Sequence, residues 1–313
     1  MVVYANGLVD PFHTLLANFA LIQKGIIYKN SIKIMRKIIL SVVFSITSII
    51  AFSQNNNDVK PSVQLVRNAT LILQYGGHKI LIDPMLSKKG EIESWAGIAR
   101  NPTVDLKLPI NKITDNVDLV LVSHTHADHF DDAAVRILNK SIKILNQPAD
   151  SAFFITKGYT NARTLHKNIN WKNINIERVN GEHGSGKVLE MMGKTSGFIL
   201  SAKGQPTIYI MGDAIWTNQI KANIARINPD YIIVNSGGAQ IKGFENVPII
   251  MDEKQTMDLI ASSGRAKVIA VHMEALDHCR TTRASLSKEA QKNGVGKDKL
   301  IILKDTETFQ LSN

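Results

Sequence analysis

Cysteine is nearly absent from this chain: its 313 residues contain one, Cys279. A lone thiol excludes an intramolecular disulfide, and it excludes the metal-finger patterns that need paired cysteines. Aromatic residues are sparse at 6%, and no basic run is interleaved with them. The formal charge of +10 therefore does not describe a nucleic-acid groove. Residues 1–53 carry five of the bases and one acid; 32 bases and 26 acids remain, a mildly basic surface open to small anions. No Gly-x-Ser-x-Gly turn is present, which removes the usual serine nucleophile of an α/β hydrolase. No apolar run reaches the roughly 20 residues that span a bilayer. An apolar content of 44% nevertheless allows a sizeable core.

What is present begins near the N-terminus. Met35-Arg36-Lys37 opens a short basic stretch, Ile38 to Phe52 is apolar or hydroxylic throughout, and Ala51-Phe52-Ser53 places small residues where a signal peptidase reads. Residues 35–53 are expected to be a signal peptide cut before Gln54, with Met35 as initiator. Residues 1–34 are then a non-native extension, 54–61 a polar tail and 62–313 the functional domain. The mature protein is expected in the periplasm or outside the cell, without stable membrane association. The alternative is an uncleaved membrane anchor.

The densest chemistry lies in Ser123-His124-Thr125-His126-Ala127-Asp128-His129-Phe130-Asp131, where three imidazoles and a carboxylate fall within six positions. Asp118 to Val122 before it reads as a buried parallel strand, and Asp131 to Leu138 after it as a capped helix. The donors therefore sit on a strand-to-helix loop. In extended backbone, positions i and i+2 face the same way, so His124 and His126 can share one cation. Asp128 and His129, past the bend, suit a second. Neutral imidazole and carboxylate are the donors that divalent Zn, Mn or Fe accept.

Around this loop the pattern alternates strands and helices. Val63 to Val66, Ala69 to Tyr75 and Lys79 to Ile82 read as consecutive antiparallel strands about Gly76-Gly77, ending in Asp83-Pro84. Residues 86–117 form an irregular excursion. Strands are expected over 142–145, 174–179, 197–202, 207–211, 230–234 and 267–271, and around 300–311 to close the second half. Helices are expected over 149–156, 253–262 and 281–292.

The nine-residue stretch resembles the HxHxDH signature of the metallo-β-lactamase superfamily, and the likeness extends over residues 62–313 with the metal motifs in order. It implies an α/β protein, an αββα four-layer sandwich with mixed sheets and one or two metals at the sheet edges. It further implies that His183, in Gly181-Glu182-His183-Gly184, completes a trio with His124 and His126. His272 joins Asp128 and His129, and Asp213, after Gly212, bridges the two metals. Asp83 steadies the loop from behind, its alternative being a turn-forming Asp before Pro. His278 donates a proton or holds substrate, or else is a plain surface histidine. The excursion 86–117 and the loop Asn235–Gly238 border the pocket, and Cys279 is a small, inert side chain.

On that resemblance the chain is expected to be a hydrolase of a small molecule. It would use two divalent metals, zinc first and manganese or iron as alternatives, to hold an attacking hydroxide, with Asp128 and Asp213 as catalytic carboxylates. The nearest likeness is to the group of L-ascorbate-6-phosphate lactonase-like and N-acylphosphatidylethanolamine phospholipase D-like proteins. A lactone, ester or phosphodiester is the expected substrate. An exported β-lactamase of the same fold and a metal-binding protein without turnover are the alternatives.

Overall fold

A computed structural model of the protein describes residues 21–24, 28, 29, 35 and 60–312. Most of the expected extension 1–34, all of the expected signal peptide 35–53 but Met35, and most of the tail 54–61 lie outside the described residues. Among the described residues, no helix is long and apolar enough to cross a membrane. The chain divides into two compact units, 1–58 and 59–313; the architecture below is that of the second.

Fourteen strands are described: β1 (Ser62–Arg67), β2 (Thr70–Tyr75), β3 (His78–Ile82), β4 (Leu119–Val122), β5 (Ile144–Asn146), β6 (Ala162–Thr164), β7 (Asn168–Trp171), β8 (Ile174–Gly181), β9 (Thr195–Ser201), β10 (Ile208–Ile210), β11 (Tyr231–Asn235), β12 (Lys267–Val271), β13 (Leu300–Ile302) and β14 (Thr308–Gln310). They form two seven-stranded sheets, ordered β14-β1-β2-β3-β4-β5-β6 and β13-β12-β11-β10-β9-β8-β7. Each is mixed. The first is antiparallel from β14 to β3 and parallel from β3 to β6; the second is antiparallel from β7 to β10 and parallel from β10 to β13.

The period-2 alternation of the strands explains the layering. Leu71, Leu73, Leu119 and Leu121 of the first sheet share a core with Ile174, Phe198, Ile233 and Ile269 of the second. Alternate residues point the other way, into helical layers. Ile72, Leu81, Val120 and Val122 meet Ala133 and Ala134 of α2 (Asp132–Ile137) and Phe154 of α3 (Ser151–Thr156), α1 being Ile110–Thr114. Ile232, Val234, Val268 and Ala270 meet α5 (Asn218–Ile227), α6 (Glu253–Ser262) and α7 (Arg283–Lys292), with α4 (Gly186–Met192) preceding them in the chain. Strands buried on both faces are why β4, β11 and β12 read as unbroken apolar runs. Helix, sheet, sheet, helix is the sandwich expected from the sequence.

Three features depart from the sequence expectation. β14 does not close the second half; it returns to the first sheet and pairs with β1. Residues 162–171, without an assignment from the pattern, hold β6 and β7, short strands whose half-exposed faces dilute any apolar alternation. Residues 218–227, likewise unassigned, form α5, capped by Thr217 and burying Ile220 and Ile224.

Candidate metal centre

β3, β4, β8, β10, β11 and β12 all send chain into one region from their carboxyl ends, and the cluster is built there. Beyond β4, Ser123 is held by Asp83: its N–H donates to Oδ1 and its hydroxyl to Oδ2, both at 2.7 Å. The same Oδ2 lies 2.8 Å from Nδ1 of His129. Asp83 itself has φ +44, a strained conformation that aims the carboxylate across the sheet. The loop turns where the N–H groups of His129 and Phe130 donate to His126 O, and it ends where Asp131 caps α2 by accepting from Ala134 N at 2.7 Å. Phe130 then anchors the bend among Phe153, Phe154 and Tyr159.

The remaining donors arrive on three loops. His183 follows β8, and its Nδ1 donates to Ile249 O at 2.7 Å, which leaves Nε2 for the centre. Asp213 follows β10 through Gly212, whose φ is +65 and where a Cβ would lie 2.4 Å from Ser196 O. Only glycine allows that approach. His272 follows β12; its N–H donates to Asn68 O, and Asn68 Nδ2 donates in turn to Asp128 O at 3.1 Å.

The structure brings all seven together, in two groups. His124, His126 and His183 form one; Asp128, His129, Asp213 and His272 form the other. Asp213 faces both: Oδ2 is 3.5 Å from His183 Nε2 and 3.1 Å from His129 Nε2, and Oδ1 is 3.6 Å from His272 Nε2. Six of the seven are at most 5% exposed; His126 is half-buried.

Electrostatics divide the groups. Burial holds His124 well below the ordinary imidazole range, and His129 and His126 add to the effect. Burial lowers His183 to about 4. At His129 burial is outweighed by Asp213, Asp128 and Asp83, which lift it to about 10, and His272 is raised the same way by Asp213 and Asp128. Burial alone would raise Asp128 and Asp213, yet the neighbouring imidazoles, His129 first, hold both far below the usual carboxylate range.

These donors fit divalent cations. Nε2 of His124 is buried with no hydrogen-bond partner, and Nε2 of His129 and of His272 lie 3.3 Å apart. Inward-facing nitrogens beside two carboxylates are what a nitrogen- and oxygen-liganded metal satisfies. The raised His129 and His272 favour protons where an ion would sit, and an ion bound there would displace them.

A cavity of about 410 Å³ opens onto His126, Asp128, His183 and Asp213. Its walls are Trp95, Ala127, Met191, Met192, Ile241 and Ile249, with Gln240 and His278 as the polar members. Trp95 comes from the excursion 86–117, as expected. His278 is 8% exposed and its Nδ1 has no partner, so it is not a surface histidine. Asn235–Gly238 do not line the cavity: Asn235 Nδ2 donates to Asp213 Oδ1, and Gly237 packs against His272 O. Cys279 packs beside this group; its Sγ lies 3.7 Å from Nδ1 of His272. Burial raises its thiol pKa, so it partners the ring as a thiol. Met191 and Met192 lacked a sequence signal because α4 itself lacked one.

A model of the family described as the beta-lactamase superfamily domain matches residues 62–283. The UPF0173 protein YddR of Bacillus subtilis is 33% identical over 254 residues, 79% of this chain and 99% of its own. A possible metal-dependent hydrolase from Veillonella parvula superposes with TM-score 0.77 at 32% identity, covering 81% of this chain and 100% of that one. An isothiocyanate hydrolase from Delia radicum gut bacteria superposes with TM-score 0.74 at 34% identity, covering 80% and 99%.

Proposed function

The chain belongs to the metallo-β-lactamase superfamily, in its UPF0173 family of metal-dependent hydrolases, and on that premise we propose that it hydrolyses a small, uncharged, apolar substrate, an isothiocyanate first. The observation that carries this reading is the lining of the cavity. Among the described residues that line it there is no Lys or Arg, while Trp95, Met191, Met192, Ile241 and Ile249 present apolar surface. A phosphate or carboxylate would find no side-chain cation there. That weighs against a phosphodiester or a β-lactam and keeps a neutral lactone or ester as the second choice. The isothiocyanate hydrolase among the relatives names the first.

His124, His126 and His183 would hold one divalent ion, Asp128, His129 and His272 the other, and Asp213 both, with zinc ahead of manganese or iron. Bound there, the ions supply Lewis acidity toward water and toward the bond it attacks. In the proposed reaction the water oxygen bonds to the central carbon of R–N=C=S as one C=N bond becomes single. Asp128 takes a proton from the water and returns it to nitrogen, giving R–NH–C(=S)–OH; the remaining hydroxyl proton then passes to nitrogen as the C–N bond breaks, which yields the amine R–NH2 and carbonyl sulfide. His278, kept neutral by burial, faces the substrate as a hydrogen-bonding partner, and the apolar walls exclude bulk water.

The test is a panel of isothiocyanates, neutral lactones, esters, phosphodiesters and β-lactams with metal-loaded protein. Isothiocyanate or neutral acyl substrates should exceed the charged ones by about 100-fold in kcat/KM. A phosphodiester or β-lactam as best substrate overturns the reading. Export of a chain started at Met35 is part of the same proposal, on the sequence of residues 35–53 alone; N-terminal sequencing of periplasmic or secreted protein should begin near Gln54, and a full-length membrane species would contradict it.

A further inference from the structure

One carboxylate outside the seven-residue cluster gathers an unusual set of donors. Asp277 is 6% exposed and lies five residues beyond His272. Its Oδ1 accepts from Trp95 N at 3.2 Å and from Asn101 Nδ2 at 2.9 Å. Its Oδ2 accepts from the N–H groups of Ala96, Ile98 and Ala99 at 3.1, 3.3 and 3.4 Å, and from the Ser94 hydroxyl. Asn101 Oδ1 closes the ring by accepting from Asp277 N at 2.8 Å.

Segment 94–101 has neither helix nor strand of its own beyond the Ile92–Asn101 bridge. An apolar core does not shape it: apart from Asn101, which is fully buried, it is exposed or half-buried, Ile98 at 65% and Trp95 at 36%, and its other residues include two alanines and a glycine. The loop is therefore wound around a carboxylate, much as backbone N–H groups wrap an anion. Trp95 sits inside this turn. Its ring meets that of His278, the residue following Asp277, edge-on at 4.9 Å and 78°, and both line the cavity.

We infer that Asp277 is a positioning residue: it folds the 94–101 loop into the pocket wall and, by seating Trp95 against His278, sets the apolar subsite that receives the substrate's side group. The apolar character of that group rests on the function proposed above; the dependence of the loop on Asp277 does not. Asp277→Asn keeps the side-chain volume but removes the charge and turns an NH2 toward backbone N–H groups, donor against donor.

The experiment uses the full chain labelled with 5-fluorotryptophan. Its three tryptophans give three fluorine resonances, and Trp95→Phe assigns one. In Asp277→Asn the Trp95 line should move toward the free amino acid and its H2O/D2O solvent shift should grow, while the Trp171 line stays. KM for a bulky isothiocyanate should rise about ten-fold with kcat changed less than about three-fold. Adding Trp95→Ala to Asp277→Asn should raise KM little further, because both remove the same wall. Should Asp277→Asn fail to fold, Ser94→Ala removes one donor and takes the same test. An unmoved Trp95 line, or KM effects of the two substitutions that multiply in full, overturns the inference. If no isothiocyanate is turned over, the substrate reading falls, and the Trp95 line still decides the role of Asp277.

Discussion

Nδ2 of Asn235 donates to Oδ1 of Asp213 at 2.6 Å across 22 residues, joining the ends of β11 and β10. Asp213 faces both groups of ligands, so this single bond fixes which way its carboxylate turns. Asn235→Ala should leave the fold intact and lower metal affinity or kcat/KM by about 10–100-fold, the usual loss when an outer partner of a ligand is removed. Metal titration and steady-state kinetics on the same preparation check it; wild-type values in both would show that Asp213 holds its orientation without help.

Asp83 carries a comparable load on the other sheet, with three donors converging on one buried carboxylate. Asp83→Ala leaves the Ser123 N–H short of a partner in a dry setting, and the Ser123 hydroxyl and His129 Nδ1 lose their shortest bonds, the hydroxyl keeping only its 3.0 Å contact with His124 Nδ1 and its 3.5 Å contact with His129. Metal-free protein should lose about 2–4 kcal/mol of stability, a few unsatisfied groups after partial relaxation. Asp83→Asn keeps an acceptor and should cost less. Urea unfolding of chelated samples measures both, and equal midpoints for the three proteins would refute the claim.

How much of this was legible in the sequence depends on range. The loop from Ser123 to Asp131 announces itself because its donors are neighbours in the chain and its flanking elements obey simple periods. His183, Asp213 and His272 are single residues; the order of the motifs in a resembling family picked them out, and the structure then drew them into one cluster. Asn235, Asp277 and Trp95 could not be weighted this way, since their meaning is a bond across 22 or 182 residues. β14 illustrates the same limit in the fold: two exposed residues around a half-buried Phe309 give no hint that the chain has crossed back to pair with β1. Cys279 reads as inert from the sequence, and burial, which raises its thiol pKa, agrees; only its place beside the His272 ring needed the structure.

The pKa shifts predict the pH dependence of the metal-free protein. His129 is raised from 6.5 to about 10, so the folded state binds its proton more tightly; the stability this contributes is complete below 6.5 and is lost as pH rises toward 10. His183 is lowered from 6.5 to about 4, so its contribution is complete above 6.5 and is lost as pH falls toward 4. The two limbs meet near neutrality. Unfolding midpoints of chelated protein between pH 4 and 10 should pass through a maximum at about 6–7. Metal loading should flatten the alkaline limb, since the ion takes the place of the proton. A midpoint that climbs steadily through pH 9 would contradict this.

Gly237 offers the sharpest separation of the two groups. Its φ is not in the left-handed region, so a side chain there is opposed by space alone: a Cβ would fall 2.1 Å from His272 O and 2.9 Å from Cys279 Sγ. The first atom is backbone and cannot swing aside. Relief must come from displacing the chain at His272, whose φ of +66 leaves little freedom, and the thiol 3.7 Å from its Nδ1 moves with it. His124, His126 and His183 lie on the loops that follow β4 and β8, and none of them is among the atoms a Cβ at Gly237 would meet. On the proposed two-metal reading, Gly237→Ala should therefore lose the ion that Asp128, His129 and His272 would hold while keeping the other. Elemental analysis should fall from about two metals per chain toward about one, and Cys279→Ser, which keeps a hydrogen-bonding partner beside His272, should stay near two. Retention of both ions by Gly237→Ala would show that the displacement does not reach His272, and loss of both together would mean that the groups do not bind independently.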